Sequence, residues 1–346
     1  MNLNKKEIYI KEVLNNLNTI SIKRLSGKEI NFFDNKKILI TGVSGIIGIN
    51  LLFFFNKLNI KKKKNICVDG TYNTSLFNFV KKYFKKDKKV KFIKIDLTKK
   101  KIKKIKKYDF IFHCAGYGQP SKFLKYKKST YKLNSTTIID LKENLKKNGK
   151  FIYLSTTEIY SGNEKKCNEE SVGNTGSTHP RSSYIDSKKF GESFIVNCFQ
   201  DFLIFRACLI YGPGTKLNDE RVLNQVIMRS IKNKKIDVYG GLNQLRSNLF
   251  IYDAINMMIK TIVKTKNKIF NLNNHKMITL GKIFSMIGKI SGKKLINHGS
   301  KMVGSPKIIR ISNKKILDKT NYKISTDIKK GLIKTVNWYR SLSNAK

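Results

Sequence analysis

Tyr184 and Lys188, four residues apart in the segment Tyr-Ile-Asp-Ser-Lys, are a pair of side chains suited to acid–base chemistry. On a helix the two residues share a face, and a neighbouring ammonium favours the phenolate form of a tyrosine. A tyrosine with an ordinary pKa of about 10 is a poor base at neutral pH, so it needs such a neighbour to act as one. The same spacing also arises by chance on the surface of a chain rich in Tyr and Lys, so the pair needs support from other motifs.

Thr156 supports the pair because it follows a predicted strand at 150–155 and places a hydroxyl group at the carboxyl end of that strand. Its hydroxyl can hydrogen-bond the same substrate oxygen as the Tyr184 phenol and relay the proton. Glu158 adds a carboxylate two residues later. Together these side chains predict a site at which a substrate hydroxyl group loses its proton.

Three glycines, Gly42, Gly45 and Gly48, stand between an apolar run at 38–40 and a predicted apolar helix at 46–58. Glycines at this spacing let the backbone turn tightly and approach a pyrophosphate, which then lies against the helix N-terminus. Three glycines can also mark an ordinary strand-to-helix turn. In combination with the tyrosine and lysine above, they predict an enzyme that binds a dinucleotide and transfers a hydride.

Asp69 ends a second predicted strand, 65–69, about 20 residues beyond the glycines. A carboxylate at this place can hydrogen-bond the adenosine ribose hydroxyls of a dinucleotide, and it would repel the 2′-phosphate of NADP. Asp69 therefore favours NAD, although an acid before Gly70 can also simply begin a turn.

The chain of 346 residues is long enough to bury a large core, which predicts one two-lobed unit or two domains. Its five cysteines are scattered, without a Cys-x-x-Cys pair, so we expect neither a disulfide framework nor a metal site. The first ten residues do not have the pattern of a signal peptide, and no run approaches the roughly 20 apolar residues of a membrane helix. We expect a reduced, cytoplasmic protein without a membrane span.

The formal net charge of +48 points to a polyanionic partner. The excess comes from 63 Lys against eight Arg, spread along the chain. Nucleic-acid-binding proteins usually combine a localised basic face with Arg and stacking aromatic residues. We therefore expect no specific nucleic-acid partner, but faster association of anionic substrates and nonspecific adhesion to polyanions at low salt. A non-enzymatic polyanion binder is the alternative that the charge alone favours.

Predicted strands and helices alternate along the chain up to residue 206 and less regularly after residue 211. Such alternation is typical of an α/β fold with a doubly wound parallel sheet of the Rossmann type. The predicted strands are 37–41, 65–69, 90–95, 109–114, 150–155 and 202–206. The predicted helices are 5–18, 46–58, 74–86, 130–147, 182–199, 220–233, 252–264, 279–291, 313–320 and 327–342.

These segments predict three regions. Residues 1–35 form an N-terminal helical extension, and residues 36–210 form the NAD-binding Rossmann domain. Residues 211–346 form mainly a smaller substrate-binding lobe over the carboxyl edge of the sheet, with some segments returning to the Rossmann domain.

From Lys36 to about Arg340 the chain resembles the extended short-chain dehydrogenase/reductases, in particular the NAD-dependent epimerase/dehydratase family that acts on nucleotide sugars. Besides the motifs above, the resemblance is carried by Asp96-Leu97, His113-Cys114-Ala115-Gly116, Asn134, Pro180-Arg181, Gly191-Glu192, Arg206, Tyr211-Gly212-Pro213-Gly214, Asp219, Arg221-Val222, Arg246 and Tyr252-Asp253. It implies NAD as the cofactor and a nucleotide sugar, most simply a UDP-sugar, as the substrate.

The resemblance also implies roles for single residues. The implied catalytic residues are Thr156, Glu158, Tyr184 and Lys188. The implied cofactor contacts are Gly42, Gly45, Ile46, Ile47, Gly48, Asp69, Asp96, Leu97, Ala115, Gly116, Tyr184 and Lys188. The implied substrate contacts are Gln119, Asn134, Thr157, Arg221 and Arg246, the last of which would hold the pyrophosphate with its bidentate guanidinium.

The triplet Thr-Thr-Glu that ends at Glu158 separates branches of this family. Sugar 4,6-dehydratases resemble Thr-Asp-Glu at this place, so the missing Asp disfavours dehydration. A hydroxyl residue followed by Glu, together with Pro120 and Arg181, resembles the UDP-glucuronate decarboxylases. That likeness implies that the sugar C4 hydroxyl loses a proton to Tyr184 and a hydride to NAD. The β-keto acid then loses carbon dioxide, and the hydride returns to C4.

Departures from the family pattern keep alternatives open. Leu209 stands where a substrate-contacting Asn is frequent, Thr137 stands where Gly is common, and the segment 211–222 resembles reductases of 4-keto-6-deoxy sugar nucleotides. A nucleotide-sugar 4-epimerase and an NAD(P)H-dependent reductase are therefore alternatives to the decarboxylase. The helices at 130–147 and 182–199 correspond to those that build a dimer in this family, so the resemblance also implies a homodimer.

Overall fold

The computed structural model describes residues 5–102, 106–239, 241–299 and 310–343. Residues 1–4 of the predicted extension lie outside the described residues. So do residues 103–105 of the predicted Rossmann domain, and 240, 300–309 and 344–346 of the predicted lobe.

The elements of the described residues follow one another in this order: α1 (Lys5–Lys23), α2 (Gly27–Asn31), β1 (Lys37–Thr41), α3 (Ile46–Lys62), β2 (Cys67–Tyr72), α4 (Asn78–Tyr83), β3 (Val90–Lys94), β4 (Tyr108–His113), α5 (Pro120–Lys125), α6 (Lys127–Asn134), α7 (Thr136–Lys142), β5 (Leu145–Thr156), a 3-10 turn (Thr157–Tyr160), α8 (Ser182–Cys198), β6 (Phe202–Ala207), β7 (Leu209–Tyr211), α9 (Val222–Lys232), β8 (Lys235–Val238), β9 (Leu245–Phe250), α10 (Ile251–Lys264), β10 (Lys268–Leu272), β11 (Met277–Thr279), α11 (Leu280–Ser291), β12 (Lys294–Asn297), α12 (Lys314–Thr320) and α13 (Ile328–Ser343).

A seven-stranded parallel sheet forms the centre of the molecule, in the order β3-β2-β1-β4-β5-β6-β10. The predicted α/β class with a doubly wound parallel sheet is confirmed. The chain moves outward from β1 to β3 and then returns to place β4 on the other side of β1. At such a reversal the carboxyl ends of the two strands diverge and leave a crevice.

The apolar runs of the sequence explain why these strands and helices are buried on all sides. Ile38, Leu39 and Ile40 of β1 have no exposed surface, as expected for a central parallel strand covered on both faces. Helix α3 carries Leu51 to Phe55, all fully buried, and it continues to Lys62, beyond the predicted end at 58. It can be apolar all round because α1 and α10 pack against its outer side.

Two further predicted helices are divided or shortened in the structure. The predicted helix at 130–147 is two short helices, α6 and α7, because the backbone leaves the helical region at Ser135 (φ −129°, ψ −90°) and β5 already begins at Leu145. The predicted helix at 74–86 is reduced to α4, Asn78–Tyr83.

The part of the chain after Tyr211 contributes to both regions of the fold. Helices α9, α11 and α13 pack against one another beside the small sheets β11-β9-β7 and β12-β8. Strand β10 instead pairs with β6 at the edge of the main sheet. No helix among the described residues is long and apolar enough to cross a membrane.

A buried ion pair fixes α8 to the sheet below the predicted catalytic residues. Arg206 of β6 donates from Nε and Nη2 to the carboxylate of Glu192 at 2.7 to 3.1 Å, and from Nη1 to the Tyr160 hydroxyl and the Glu169 carbonyl. The hydroxyl of Ser155 also donates to Glu192. Both charged side chains are less than 10% exposed, so each depends on the other for its solvation.

The variant Glu192→Ala is expected to lower the free energy of unfolding by about 3 to 5 kcal/mol, because it leaves the Arg206 guanidinium buried without its counter-ion. Urea unfolding followed by circular dichroism measures the loss. The exposed i,i+4 pair of Lys314 and Asp318 provides the control, since Asp318→Ala should cost far less. Equal midpoints for the two variants would show that the buried pair does not stabilise α8.

Candidate active site

A cleft of about 370 Å³ opens at the carboxyl edge of the sheet, where β1 and β4 diverge. Its floor is the turn between β1 and α3, and its walls are the segments that follow β2, β3 and β4. Residues of the segment 215–221 line the opposite side. The strand order therefore gathers short loops from several strands around one space.

The glycine turn can hold a pyrophosphate because side chains are sterically excluded from it. Gly42 has φ +68°, and a Cβ atom there would lie 2.8 Å from the Ala115 Cα; a Cβ on Gly48 would lie 2.5 Å from the Gly42 carbonyl oxygen. Gly45 caps α3 without a side-chain hydrogen bond, which leaves the first-turn N–H groups available to an anion. Ile46 and Ile47 follow in the cleft wall. This turn fits the pyrophosphate of a dinucleotide.

The structure corrects the expectation for Asp69. Strand β2 continues through Gly70 to Tyr72 because these residues pair with β3, so Asp69 lies inside the strand and not at its end. Its carboxylate accepts hydrogen bonds from the Tyr108 hydroxyl and the Lys106 ammonium, each at 2.7 Å. Asp69 is buried within the sheet and does not line the cleft.

The residues at the true end of β2 were missed by the sequence analysis. The hydroxyl of Thr71 accepts a hydrogen bond from the Gly42 N–H at 3.3 Å, and Tyr72 and Asn73 line the cleft. The sequence did carry a signal, because Thr and Tyr are favoured in strands and could have extended the predicted strand past Gly70.

The predicted wall residues Asp96, Leu97, Ala115 and Gly116 all line the cleft. Asp96 is held in place by accepting hydrogen bonds from the N–H and hydroxyl groups of Thr98 at 2.9 and 2.8 Å. Their contacts with a cofactor stay a prediction.

Tyr184, near the start of α8, is buried beside the strand end. Its ring stacks on Phe123 at 4.4 Å with an interplanar angle of 7°. Burial, and secondarily the charge of Glu158, raises the pKa of Tyr184 to about 12, while the Thr156 hydroxyl and the Arg181 guanidinium act in the opposite direction. The phenol is therefore a protonated group that needs further positive charge before it can act as a base.

Lys188 takes a different position from the one predicted. Its ammonium donates to the Leu154 carbonyl at 2.6 Å and lies over the Tyr153 ring, next to the cleft wall at Gly116. Burial lowers the pKa of Lys188 to about 7, with the charge of Glu192 opposing this effect. The lysine is hydrogen-bonded to the main chain beside the cleft wall, and the cations that lower the pKa of the phenol are Arg181 and Arg221.

Glu158 forms a bidentate ion pair with Arg181. The arginine donates from Nε at 2.9 Å and from Nη2 at 2.8 Å, and its guanidinium lies 5.1 Å from the Phe123 ring centre. The backbone of Glu158 is fixed as well, because its N–H donates to the Thr156 hydroxyl. The sequence analysis named Arg181 only as part of a family motif and assigned it no role in the site.

Two predicted substrate residues, Gln119 and Arg221, meet across the cleft. Gln119 donates to the Asp219 carboxylate at 3.3 Å and accepts from the Glu220 N–H at 3.1 Å. Arg221 holds the same Asp219 in a bidentate pair, at 2.7 to 3.2 Å. These bonds connect the segment after β4 with the segment before α9.

Two other predicted substrate residues are turned away from the cleft, which corrects the expectation for them. Asn134 is 1% exposed, and its amide group joins the hydroxyls of Ser187 and Tyr153 beneath α8. Thr157 donates to the Ala207 carbonyl on the neighbouring strand. Both side chains therefore order the elements around the site instead of facing a ligand.

Arg246 lies in β9, close to the Glu158 ion pair. It donates to the Gln244 side chain at 2.6 Å and to the Leu245 carbonyl at 2.9 Å. Burial lowers the pKa of Arg246, and the charges of Glu158 and Arg181 act on it in opposite directions. The charges of the Glu158–Arg181 ion pair therefore act on the pKa values of both Arg246 and Tyr184.

Comparison with protein families gives one match that extends over most of the chain. The model of the NAD dependent epimerase/dehydratase family matches residues 38–272, which are 235 of the 346 residues. This range includes the glycine turn, the strand end at Thr156 and the tyrosine and lysine of α8.

Curated proteins that are similar in sequence include the following two. A stretch of 301 residues is 30% identical to the bifunctional polymyxin resistance protein ArnA of Wigglesworthia glossinidia brevipalpis, covering 78% of this chain and 43% of that protein. UDP-glucuronic acid decarboxylase 1 of Xenopus tropicalis is 22% identical over 316 residues, covering 89% of this chain and 73% of that protein. The chain thus spans less than half the length of ArnA.

Among solved structures, the fold is similar to that of UDP-glucuronic acid 4-epimerase from Bacillus cereus in complex with NAD. The TM-score is 0.71 at 22% identity, and the match covers 90% of this chain and 98% of the epimerase. The similarity in fold includes both the Rossmann sheet and the smaller elements that follow it.

The variant Tyr184→Phe is expected to lower enzymatic turnover by roughly two orders of magnitude or more, because it removes the hydroxyl group predicted to accept a proton and keeps the ring that stacks on Phe123. Steady-state kinetics with NAD present measure the loss. Tyr131→Phe, at an exposed tyrosine of α6, is the matched control. Unchanged turnover in the Tyr184 variant would rule out this phenol as the acid–base group.

The stability gained by Lys188→Met is expected to depend on pH. The pKa of Lys188 falls from 10.5 to about 7 on folding, so the folded state binds fewer protons between these values. The destabilising effect of Lys188 is therefore complete below pH 7 and disappears as the pH rises above 10.5. The difference in unfolding free energy between variant and parent should shrink from pH 7 to pH 10, by at most about 1.4 kcal/mol per pH unit. A pH-independent difference in urea titrations, with the exposed Lys128→Met as control, would contradict a buried cation here.

Proposed function

The chain belongs to the NAD dependent epimerase/dehydratase family, and from this premise we propose that it is a UDP-glucuronate decarboxylase that oxidises and then reduces C4 of the sugar. Membership confirms the resemblance seen in the sequence motifs and NAD as the cofactor of the family. The more specific reaction rests on the arrangement of the residues around Tyr184.

The observation that carries the proposal is the buried phenol of Tyr184, which packs in one cluster with Tyr117 of the wall of the cleft whose floor is the glycine turn. A phenol and a hydroxyl that share a proton can receive the proton of a sugar hydroxyl and return it. When bound, NAD accepts the hydride from C4 of the sugar and gives it back. The ammonium of Lys188, at the Gly116 wall, is placed to orient the cofactor side of the cleft.

The chain's own residues have little further chemistry to do in a decarboxylation. Tyr184 takes the proton of the C4 hydroxyl while the hydride of C4 would pass to the bound cofactor. Loss of both leaves a ketone at C4 and makes the C6 carboxylate that of a β-keto acid. The C5–C6 bond then breaks, carbon dioxide leaves, and its electron pair stays on C5 as an enolate. A proton from solvent returns to C5, and Tyr184 returns the proton to the C4 oxygen as the hydride comes back.

The side chains after Thr156 favour this reaction over a dehydration. Elimination of water from a keto sugar needs one group to remove a proton and another to protonate the leaving hydroxyl. Here the Glu158 carboxylate is held by Arg181 in a bidentate pair, and the Thr157 hydroxyl is bonded to the main chain of β6. Neither is arranged as an acid and base pair.

Hydrogen bonds between segments on opposite sides of the cleft favour a reaction in which the enzyme keeps and regenerates its cofactor. Lys216 donates to the Ser75 carbonyl at 2.8 Å, and Ser121 and Gln119 bond to Glu220 and Asp219. Such bridges slow the exchange of a bound dinucleotide. A net reductase must release its cofactor in every turnover, whereas a redox-neutral enzyme gains from keeping it.

We also propose that the protein forms a homodimer through α6, α7 and α8. Helix α6 packs against α8, and the outer faces of α6, α7 and α8 expose Tyr131, Ile139, Phe190 and Val196, each between 41% and 48%. Large apolar side chains grouped on adjacent helices favour burial against a second copy.

The purified protein with NAD is expected to release carbon dioxide from UDP-glucuronate and to form a UDP-pentose, with no net production of NADH. The same experiment with a 4-keto-6-deoxy sugar nucleotide and NADH should oxidise no stoichiometric amount of NADH. Formation of UDP-galacturonate without gas, followed by NMR, would replace the decarboxylase by a 4-epimerase. Oxidation of NADH with the keto sugar, and no gas from the uronate, would establish a reductase.

Light scattering coupled to size exclusion is expected to give twice the mass of the 39.9 kDa chain. Phe190→Glu should shift the protein towards the monomer, because it places a charge within the proposed contact. Val172→Glu changes an exposed valine outside these helices and should leave the mass unchanged. A monomeric parent protein would refute the dimer.

A further inference from the structure

The ion pair of Glu158 and Arg181 lies beside the reacting group and is coupled to two ends of the site. Its charges act on the phenol of Tyr184, and the Phe123 ring contacts both the phenol ring, at 4.4 Å, and the Arg181 guanidinium, at 5.1 Å. The same two charges act on Arg246. The pair therefore acts on Tyr184, which the proposed function places at C4 of the sugar, and on Arg246, for which the family resemblance implies a contact with the pyrophosphate.

The shape of a hexose ring indicates which part of the substrate meets this pair. C1 carries the pyrophosphate and C4 carries the hydroxyl that is oxidised, and these two carbons lie on opposite sides of the ring. If Arg246 holds the pyrophosphate and Tyr184 meets C4, a group that neighbours both faces one long edge of the sugar. The edge formed by C5 and C6 bears the group that distinguishes a uronate from a neutral hexose.

The donors of Arg181 are only partly used by Glu158. An arginine has five N–H donors in a planar fork. The hydrogen bonds to Glu158 come from Nε and Nη2, along one edge of the guanidinium, and Phe123 covers one of its faces. The other edge, with Nη1 and the second Nη2 hydrogen, has the geometry for a second carboxylate.

We propose that Arg181 selects a sugar nucleotide with a carboxylate at C6, by binding that carboxylate with Nη1 and Nη2 while Nε and Nη2 keep Glu158 in place. This inference rests on the proposed function, because it takes C4 to lie at Tyr184. Glu158 fixes the guanidinium plane and keeps the site from carrying an excess positive charge before the substrate arrives. Without Arg181, the Glu158 carboxylate would repel the uronate.

Binding to a catalytically silent protein tests this role separately from turnover. We would load Tyr184→Phe with NAD and titrate it with UDP-glucuronate and with UDP-glucose in a calorimeter. Adding Arg181→Gln is expected to lower the affinity for UDP-glucuronate by at least about tenfold. It should change the affinity for UDP-glucose by less than about twofold. Arg181→Lys keeps the charge and loses the planar fork, so its affinity for UDP-glucuronate should lie between those of Tyr184→Phe alone and of Tyr184→Phe with Arg181→Gln.

Glu158→Gln is the matched control, since it changes the partner of the same pair. It removes a negative charge near the C6 carboxylate, so it should leave the affinity for UDP-glucuronate unchanged or increase it. If the pair had only a structural role, both variants would lower the affinities for both sugar nucleotides to the same extent.

Equal losses of affinity for UDP-glucuronate and for UDP-glucose in Arg181→Gln would overturn the inference. A parent protein that does not prefer UDP-glucuronate to UDP-glucose would overturn it as well. If the parent shows that preference and loses it with Arg181, but wild-type protein releases no carbon dioxide from UDP-glucuronate, the decarboxylase proposal fails and the role of Arg181 stands.

Discussion

Burial of the Tyr184 phenol is the constraint on which the rest of the site depends. A phenol in a dry environment resists ionisation, and here burial raises its pKa to about 12. The protein therefore has to surround the phenol with groups that stabilise the phenolate when substrate and cofactor are present. The Thr156 hydroxyl and the charges of Arg181 and Arg221 lower the pKa of the phenol, while the Glu158 carboxylate, paired with Arg181, raises it.

Such a balance requires that α8 and the strand end keep their distance to within a fraction of an ångström. The ion pair between Glu192 and Arg206 does this from below, because it ties α8 to β6 and also holds Ser155, the residue before Thr156. A buried pair is costly to desolvate and adds little net stability compared with apolar packing. Its value here is positional, since it fixes the helix that carries the phenol.

The sequence predicted those features that depend on short-range patterns. The glycine turn, the parallel α/β sheet and the helix that carries Tyr184 all follow from local spacing and apolar periodicity. The direction of single side chains could not be predicted in the same way. Asp69 lies within its strand because of pairing with β3, and Thr157 turns towards β6, and both facts depend on neighbouring strands that are distant in sequence.

Charge in this molecule has two separate roles, and the distinction bears on what the enzyme recognises. The lysines that produce the net charge lie mainly on the surface; on the edge strand β3, for instance, Lys91 and Lys94 are exposed and discourage pairing with another sheet. Within the site two arginines have fixed carboxylate partners, Arg181 with Glu158 and Arg221 with Asp219, whereas Lys188 is hydrogen-bonded to a main-chain carbonyl. A diffuse field of lysines attracts any anion, whereas a planar guanidinium held at one edge can distinguish a carboxylate from a hydroxyl group. The proposed selectivity for an acidic sugar would therefore come from the arginines of the site, because the many surface lysines attract all sugar nucleotides alike.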